Sequence, residues 1–311
     1  MTKFIPFSNQ SKKQIEDTIP DLKQAQECFE KIRKIDLEKM SDIDLEKTFL
    51  TYFNTIPYNN QSFFPKGEEL YRARIDDGEK PFSKIKDIFV REENEIIGYG
   101  RANRPREQIF YCSDNMDVSL FETLQYLSKE NFWYKRQKGK MVQVTVGVWR
   151  INEPIRLASI FHGGDLWSRR PDLKDFHTHH RKVFSKYKAT KKMLDYEEAL
   201  CEFFSSQFTK QVDFDWEYKL SALYSYLVKH AKVSNDRYVF DGIIYPSNAT
   251  HLFGDNLAIY KRAFNEKKIE LVRVESVMCV TFPDQINFYK MNASENIKEG
   301  EIYWDPNYSV F

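Results

Sequence analysis

Three residues in this sequence have the types and spacing for chemistry. Arg101 ends the glycine-rich turn Gly98-Tyr-Gly-Arg101, Tyr111 follows ten positions on, and Glu122 stands eleven beyond that. An arginine offers a permanent planar cation that grips two oxygens of a phosphate at once. A tyrosine ring presents its face to a cation, and a fixed carboxylate stabilises positive charge that develops in a transition state. Asn103 lies just past the turn, Leu70-Tyr71-Arg72-Ala73-Arg74 precedes it, and Asp241-Gly-Ile-Ile-Tyr245-Pro246-Ser247 comes much later. Each residue also has a plainer reading. Arg101 suits a surface turn, Tyr111 a core beside Ile109 and Phe110, Glu122 a helix ion pair, Ser247 a turn, and Arg72 and Arg74 an edge strand.

The elements that must position these residues can be read from periodicity. Alternation puts Arg72 and Arg74 on one face of a strand over Leu70–Ile75, and Tyr111 falls in a strand over Glu107–Ser113. Glu122 belongs to a helix from Asp117 to about Lys129, with Leu120, Leu124 and Leu127 on one side. Val142, Val144, Val146 and Val148 alternate with small or polar residues as a half-buried strand does. Further strands are expected at Val239–Tyr245, Asn256–Tyr260, Ile269–Thr281 and Ile286–Lys290. Helices are expected at Asp175–Tyr187, Leu194–Thr209 and Glu217–His230. The first sixty-odd residues read as helices, with Leu22, Ala25, Cys28, Phe29 and Ile32 and then Ile43, Leu45, Leu50 and Phe53 at helical spacing. Pro57–Lys66 reads as a connector. Strands and helices mix without a regular βαβ rhythm, so the fold class is α+β.

Taken together, the Arg101/Tyr111/Glu122 spacing and the serine motif resemble the RES-domain family, NAD⁺-degrading bacterial toxins partnered by Xre-type antitoxins. The resemblance spans roughly Glu68 to Tyr260. It implies a split β-sheet core similar to that of ADP-ribosyltransferases, with an N-terminal helical segment over 1–66 and a catalytic domain over 67–311. The long interval between Glu122 and Ser247 implies a helical insertion at about 163–232. Ala102 departs from the aromatic that the family usually carries after the turn arginine.

The resemblance further implies Glu122, Arg101 and Tyr111 as catalytic residues. Arg72, Arg74, Asn103, Ser247 and Tyr245 are implied to bind NAD⁺, which is substrate rather than cofactor. Nicotinamide is cationic while attached and leaves neutral, so one carboxylate suffices where most glycosidases need two. The implied activity is cleavage of the nicotinamide–ribose bond as an NAD⁺ glycohydrolase or phosphorylase, in a toxin held by a separately encoded Xre-type antitoxin. Mono-ADP-ribosyl transfer to a macromolecule and non-enzymatic NAD binding are the alternatives. The oligomeric state is left open, a homodimer included.

Composition bounds the rest. The chain has 311 residues, 41% hydrophobic and 15% aromatic, so rings must fill much of its core. A net charge of +1 gives no long-range pull on a polyanion, so no direct nucleic-acid contact is expected. No signal peptide or apolar run long enough for a membrane span is seen, and Cys28, Cys112, Cys201 and Cys279 are scattered as in a reduced cytoplasmic protein. There is no phosphate loop, dinucleotide fingerprint, nucleophile elbow or zinc-protease motif. His177, His179 and His180, with His162 upstream, read as a solvated helix face rather than a metal site. The basic run from Lys182 to Lys192 reads as solvated surface.

Overall fold

The structure is a computed structural model and describes residues 16–53, 61–76, 80–128, 140–186, 190–231, 239–281 and 285–306. In chain order its elements are α1 (Leu22–Arg33), α2 (Asp42–Tyr52), β1 (Gln61–Phe64), β2 (Glu69–Ile75), α3 (Ile85–Ile88), β3 (Ile109–Ser113), α4 (Met116–Ser128) and β4 (Lys140–Ile151). Then come β5 (Ile155–Ser159), α5 (Gly164–Arg169), α6 (Pro171–Lys186), α7 (Lys191–Thr209), α8 (Lys219–Lys229) and β6 (Gly242–Pro246). The last are β7 (Asp255–Tyr260), α9 (Lys261–Asn265), β8 (Ile269–Thr281), β9 (Ile286–Ser294) and the two-residue strands β10 (Ile297–Lys298) and β11 (Glu301–Ile302). The fold is α+β, as the mixed sequence pattern requires. The chain divides into two compact units that interleave along the sequence. The first holds residues 1–63, 93–107 and 156–246, and the second 64–92, 108–155 and 247–311.

In the second unit the alternation of β4 buries Val144, Val146 and Val148 completely. Six strands run antiparallel in the order β7-β3-β2-β4-β8-β9. On one face α4 lays Leu120 and Leu124 on Ala73, Val144, Val146, Val277 and Cys279. Phe89, Phe110, Trp149 and Phe264 form a separate ring cluster, with centroids 4.8 to 6.0 Å apart.

In the first unit β5 and β6 pair in parallel, with Ala158 opposite Ile243. Parallel neighbours need a long crossover, and α5 to α8 supply it. Here the core is aromatic. Phe29 stacks on Phe53 and Phe203 at 4.7 and 4.5 Å, and Phe204 meets Tyr224 at 4.3 Å. Helix α1 begins with a capping box in which Asp21 and Gln24 satisfy each other's backbone N–H groups.

Several expectations need correction. Strand β1 occupies part of the segment read as a connector; residues 57–60 of that segment lie outside the described residues. Ile43 is two-thirds exposed, and Phe49 takes the buried place beside Leu45, since on α2 the position four residues on shares Leu45's face. Strand β5 and the short helices α3, α5 and α9 have too few turns of pattern to be seen by periodicity. The expected end of a helix at Tyr187 lies outside the described residues.

Candidate functional site

Glu122 is set in place by an opening in the sheet. Strands β2 and β3 pair only at Tyr71 and Ser113 and then part. Past that point the backbone of Ala73 turns to α4 instead. Its N–H donates to Ser119 Oγ at 2.8 Å, and its carbonyl accepts from Thr123 Oγ1 at 3.1 Å. Two buried backbone groups that a neighbouring strand would have satisfied are thus satisfied by a helix. Glu122 stands between those two anchors on α4. The start of α4 is fixed by Asn115 Oδ1, which accepts from Asp117 N at 2.8 Å and Val118 N at 3.4 Å.

The carboxylate meets the serine motif. Ser247, fully buried, donates from Oγ to Glu122 Oε1 at 2.6 Å across 125 positions of sequence. Asn256 Nδ2 donates to the same oxygen, also at 2.6 Å. Ser247 belongs to a tight loop closed by Ser247 N to Gly254 O (2.7 Å) and Leu252 N to Ser247 O (2.8 Å). His251 and Leu252 both take left-handed backbone angles there, with φ of 51° and 73°. Left-handed angles are uncommon for residues other than glycine, and here the hydrogen bonds of the loop hold them. Gly254 permits the close approach, because a Cβ at that position would stand 2.2 Å from Val118 Cγ2 on α4.

The first-strand arginines share a face, as alternation requires, and both hold the 85–88 segment. Arg72 donates from Nε to Ile88 O at 3.1 Å and from Nη1 to Tyr111 O at 2.7 Å, with its guanidinium 5.1 Å above the Phe110 ring. Enclosure, followed by the charge of Arg74, pushes its pKa down to about 10. Arg74 Nη1 donates to Asp87 O and lies over the Phe82 ring. Tyr111 is half-buried on β3, opposite Ala258.

Arg101, Asn103 and Tyr245 belong to the first unit. Arg101 Nη1 donates to Phe208 O at 2.6 Å and Lys210 O at 3.0 Å, at the C-terminal end of α7. Its guanidinium stacks 5.0 Å from the Tyr218 ring. A cation there also complements the helix dipole. Asn103 Nδ2 donates to the carbonyls of Gly98 and Arg104 and so closes the turn. Gly98 is required in that turn, since a Cβ would lie 2.5 Å from Asp215 Oδ2. Ala102 is fully buried where the resembled family carries a ring. Tyr245 is a core residue packed on Phe208 at 5.1 Å.

Asn256 was not found from sequence. Its only signal there is an amide within an otherwise apolar strand, Asn256-Leu-Ala-Ile-Tyr260. Among the described residues no group of three or more His, Cys, Asp or Glu could hold a metal ion. His162 is buried with its ring 4.5 Å from Trp167 and 5.2 Å from His177. His180 lies outside the described side chains. Among the described residues no helix is long and apolar enough to cross a membrane.

No protein-family model matches the sequence. No curated protein matches it either. Among solved structures the chain is similar to one described as the crystal structure of the M. tuberculosis MbcT-MbcA toxin-antitoxin complex. That match has 12% identity and a TM-score of 0.34, over 71% of this chain and 88% of that one. A likeness of that size carries no argument about function, which rests on the side chains.

Proposed function

We propose that this protein cleaves the nicotinamide–ribose bond of NAD⁺, with Glu122 as the catalytic carboxylate. The observation that supports this most is the 2.6 Å bond from Ser247 to Glu122. Two residues picked from separate motifs, 125 positions apart, meet as donor and acceptor. Nicotinamide departs neutral, so no general acid is required. Positive charge gathers on the ribose as the bond lengthens, and a fixed carboxylate stabilises it more than it stabilises the bound ground state. In this reading Tyr111 offers its ring to the cationic nicotinamide, and Arg72, Arg74 and Arg101 are each candidates for the pyrophosphate, as the motif resemblance implies. Asn103 and Tyr245 support the turn and strand that carry the motif residues.

The wider proposal follows from the motif resemblance: a growth-arresting toxin neutralised by a separate Xre-type antitoxin. Purified protein incubated with NAD⁺, with and without phosphate, should release nicotinamide. ADP-ribose as co-product identifies a glycohydrolase, and ADP-ribose 1″-phosphate a phosphorylase. Intact NAD⁺ after incubation with well-folded protein would overturn the reading. Label from NAD⁺ carried onto macromolecules, with little free ADP-ribose, would identify a transferase instead.

A further inference from the structure

We infer that Asn256 is a positioning residue for Glu122, and that Asn256 and Ser247 together dedicate Oε2 of that carboxylate to the substrate. The inference rests on the reading of Glu122 as the catalytic group. It begins with what each group can do. An ionised carboxylate only accepts hydrogen bonds, so the edge of the Asn256 amide that faces it 2.6 Å away is the NH₂. The opposite edge, Oδ1, faces Ser113 Oγ at 3.0 Å, and the serine hydroxyl therefore donates. Ser113 and Asn256 are direct partners in the β3–β7 register, and both are buried.

That polarity is held from both ends. Turning the amide over would put a carbonyl oxygen against a carboxylate oxygen at hydrogen-bond distance and remove the donor that Glu122 uses. Both donors, Ser247 Oγ and Asn256 Nδ2, fall on Oε1. Among the described residues no group bonds Oε2, and Glu122 is partly exposed. Two bonds from different elements, one from the 247–254 loop and one from β7, remove the rotation about the last side-chain torsion of Glu122. The carboxylate then presents one defined oxygen to the ribose without reorganising during reaction, the condition under which a fixed charge is most effective. The relay Ser113–Asn256–Glu122 makes β3 a part of the site through Ser113 as well as Tyr111.

The test has one readout that does not depend on turnover. In ¹⁵N spectra of the full chain, the Asn256 side-chain amide is identified by its loss in Asn256→Ser. One of its protons should lie downfield and exchange slowly, Glu122→Gln should move it upfield, and Ser113→Ala should broaden it as the amide turns. An Asn256 amide at the ordinary solvent-exposed position, unmoved by Glu122→Gln, overturns the placement. The second readout is kinetic. Asn256→Ser and Ser113→Ala should lower kcat for NAD⁺ cleavage about ten- to hundredfold with KM changed less than about twofold, because the interaction acts in the transition state. If both keep wild-type kcat while Glu122→Gln is inactive, the positioning role is wrong and the carboxylate assignment stands. If Glu122→Gln itself turns over normally, the assignment fails and the positioning role falls with it.

Discussion

Glu122 and Arg101 are both half-buried, both were singled out by the same motif, and their surroundings differ in kind. Arg101 donates to two backbone carbonyls at a helix end and stacks on a tyrosine, contacts that any folded chain could use for stability alone. Glu122 receives two side-chain donors on one oxygen. Under the proposed function, a carboxylate held on one side and partly exposed presents its other oxygen to the substrate. The loop that carries Ser247 also holds two uncommon left-handed residues, His251 and Leu252, a conformation that persists where surroundings over-determine it. Where hydrogen-bond capacity ends on backbone, a polar residue explains the fold; where it ends on other side chains, it invites a chemical explanation.

The sharpest way to break this contrast is to remove charge without shape. Glu122→Gln should lower kcat by two to three decades, a loss of about 3–4 kcal/mol of transition-state stabilisation. The melting temperature should stay near that of the parent protein. Nicotinamide release and a thermal melt on the same sample check both halves. Wild-type turnover in the glutamine variant would move the chemistry away from Glu122.

A buried polar group in the first unit should behave oppositely, affecting stability and not rate. Burial, and then the charges of His177 and Arg181, push the pKa of His162 down to about 4. Glu198 Oε1 lies 3.7 Å from its Nε2, but the Glu198 carboxylate is engaged by Arg181. With the folded pKa below the unfolded value near 6.5, the unfolded chain binds the proton first as pH falls. Stability should therefore decline between about pH 6.5 and 4 and level off below, a loss on the order of 3 kcal/mol for this group. His162→Phe should flatten that part of the profile, as read by denaturant unfolding across pH. An unchanged slope in the variant would assign the acid sensitivity to other groups.

Arg101 lies between these cases. Arg101→Ala removes hydrogen bonds from a charged donor to the Phe208 and Lys210 carbonyls and should destabilise by about 1–3 kcal/mol. Arg101→Lys keeps the charge but loses the planar fork. If Arg101 also binds pyrophosphate, the lysine variant should weaken NAD⁺ binding beyond its effect on melting. If its role is confined to the helix end, calorimetric affinity for NAD⁺ will stay at the wild-type value while the melting temperature falls.

How far these contrasts were legible in the sequence depended on the kind of signal. The alternation of Val142 to Val148 placed β4, and the leucines around Glu122 placed α4 to within a residue at its start, because hydrophobic periods report burial directly. The core of the first unit was legible as an aromatic excess but not as particular stacks such as Phe29 on Phe53. Strand β5 was invisible because its five residues follow closely on β4, and its partner β6 lies some eighty residues away. In the site, Ser247 was legible through its motif. Asn256 and Ser113 were not, because a cross-strand hydrogen bond depends on register, which no local pattern encodes. The grip of Arg101 on α7 was hidden for the same reason.

The smallest expected effect concerns Tyr111, whose two contributions can be separated. Its carbonyl accepts from Arg72 Nη1 at 2.7 Å, and that bond belongs to the backbone, so Tyr111→Phe leaves it intact. The ring also remains, and with it the face proposed for the nicotinamide cation. Stability should fall by no more than about 1.5 kcal/mol, the upper value for one hydrogen bond, and kcat/KM by no more than about threefold, since the cation–π contribution of ~0.5–2 kcal/mol resides in the ring. Tyr111→Leu removes the ring but keeps apolar bulk, and should lose up to about thirtyfold in kcat/KM, the upper end of that range. A collapse of turnover in the phenylalanine variant equal to that of Glu122→Gln would mean the hydroxyl takes part in the reaction. Tyr111 would then stand with Glu122 in the chemistry rather than beside it as a platform.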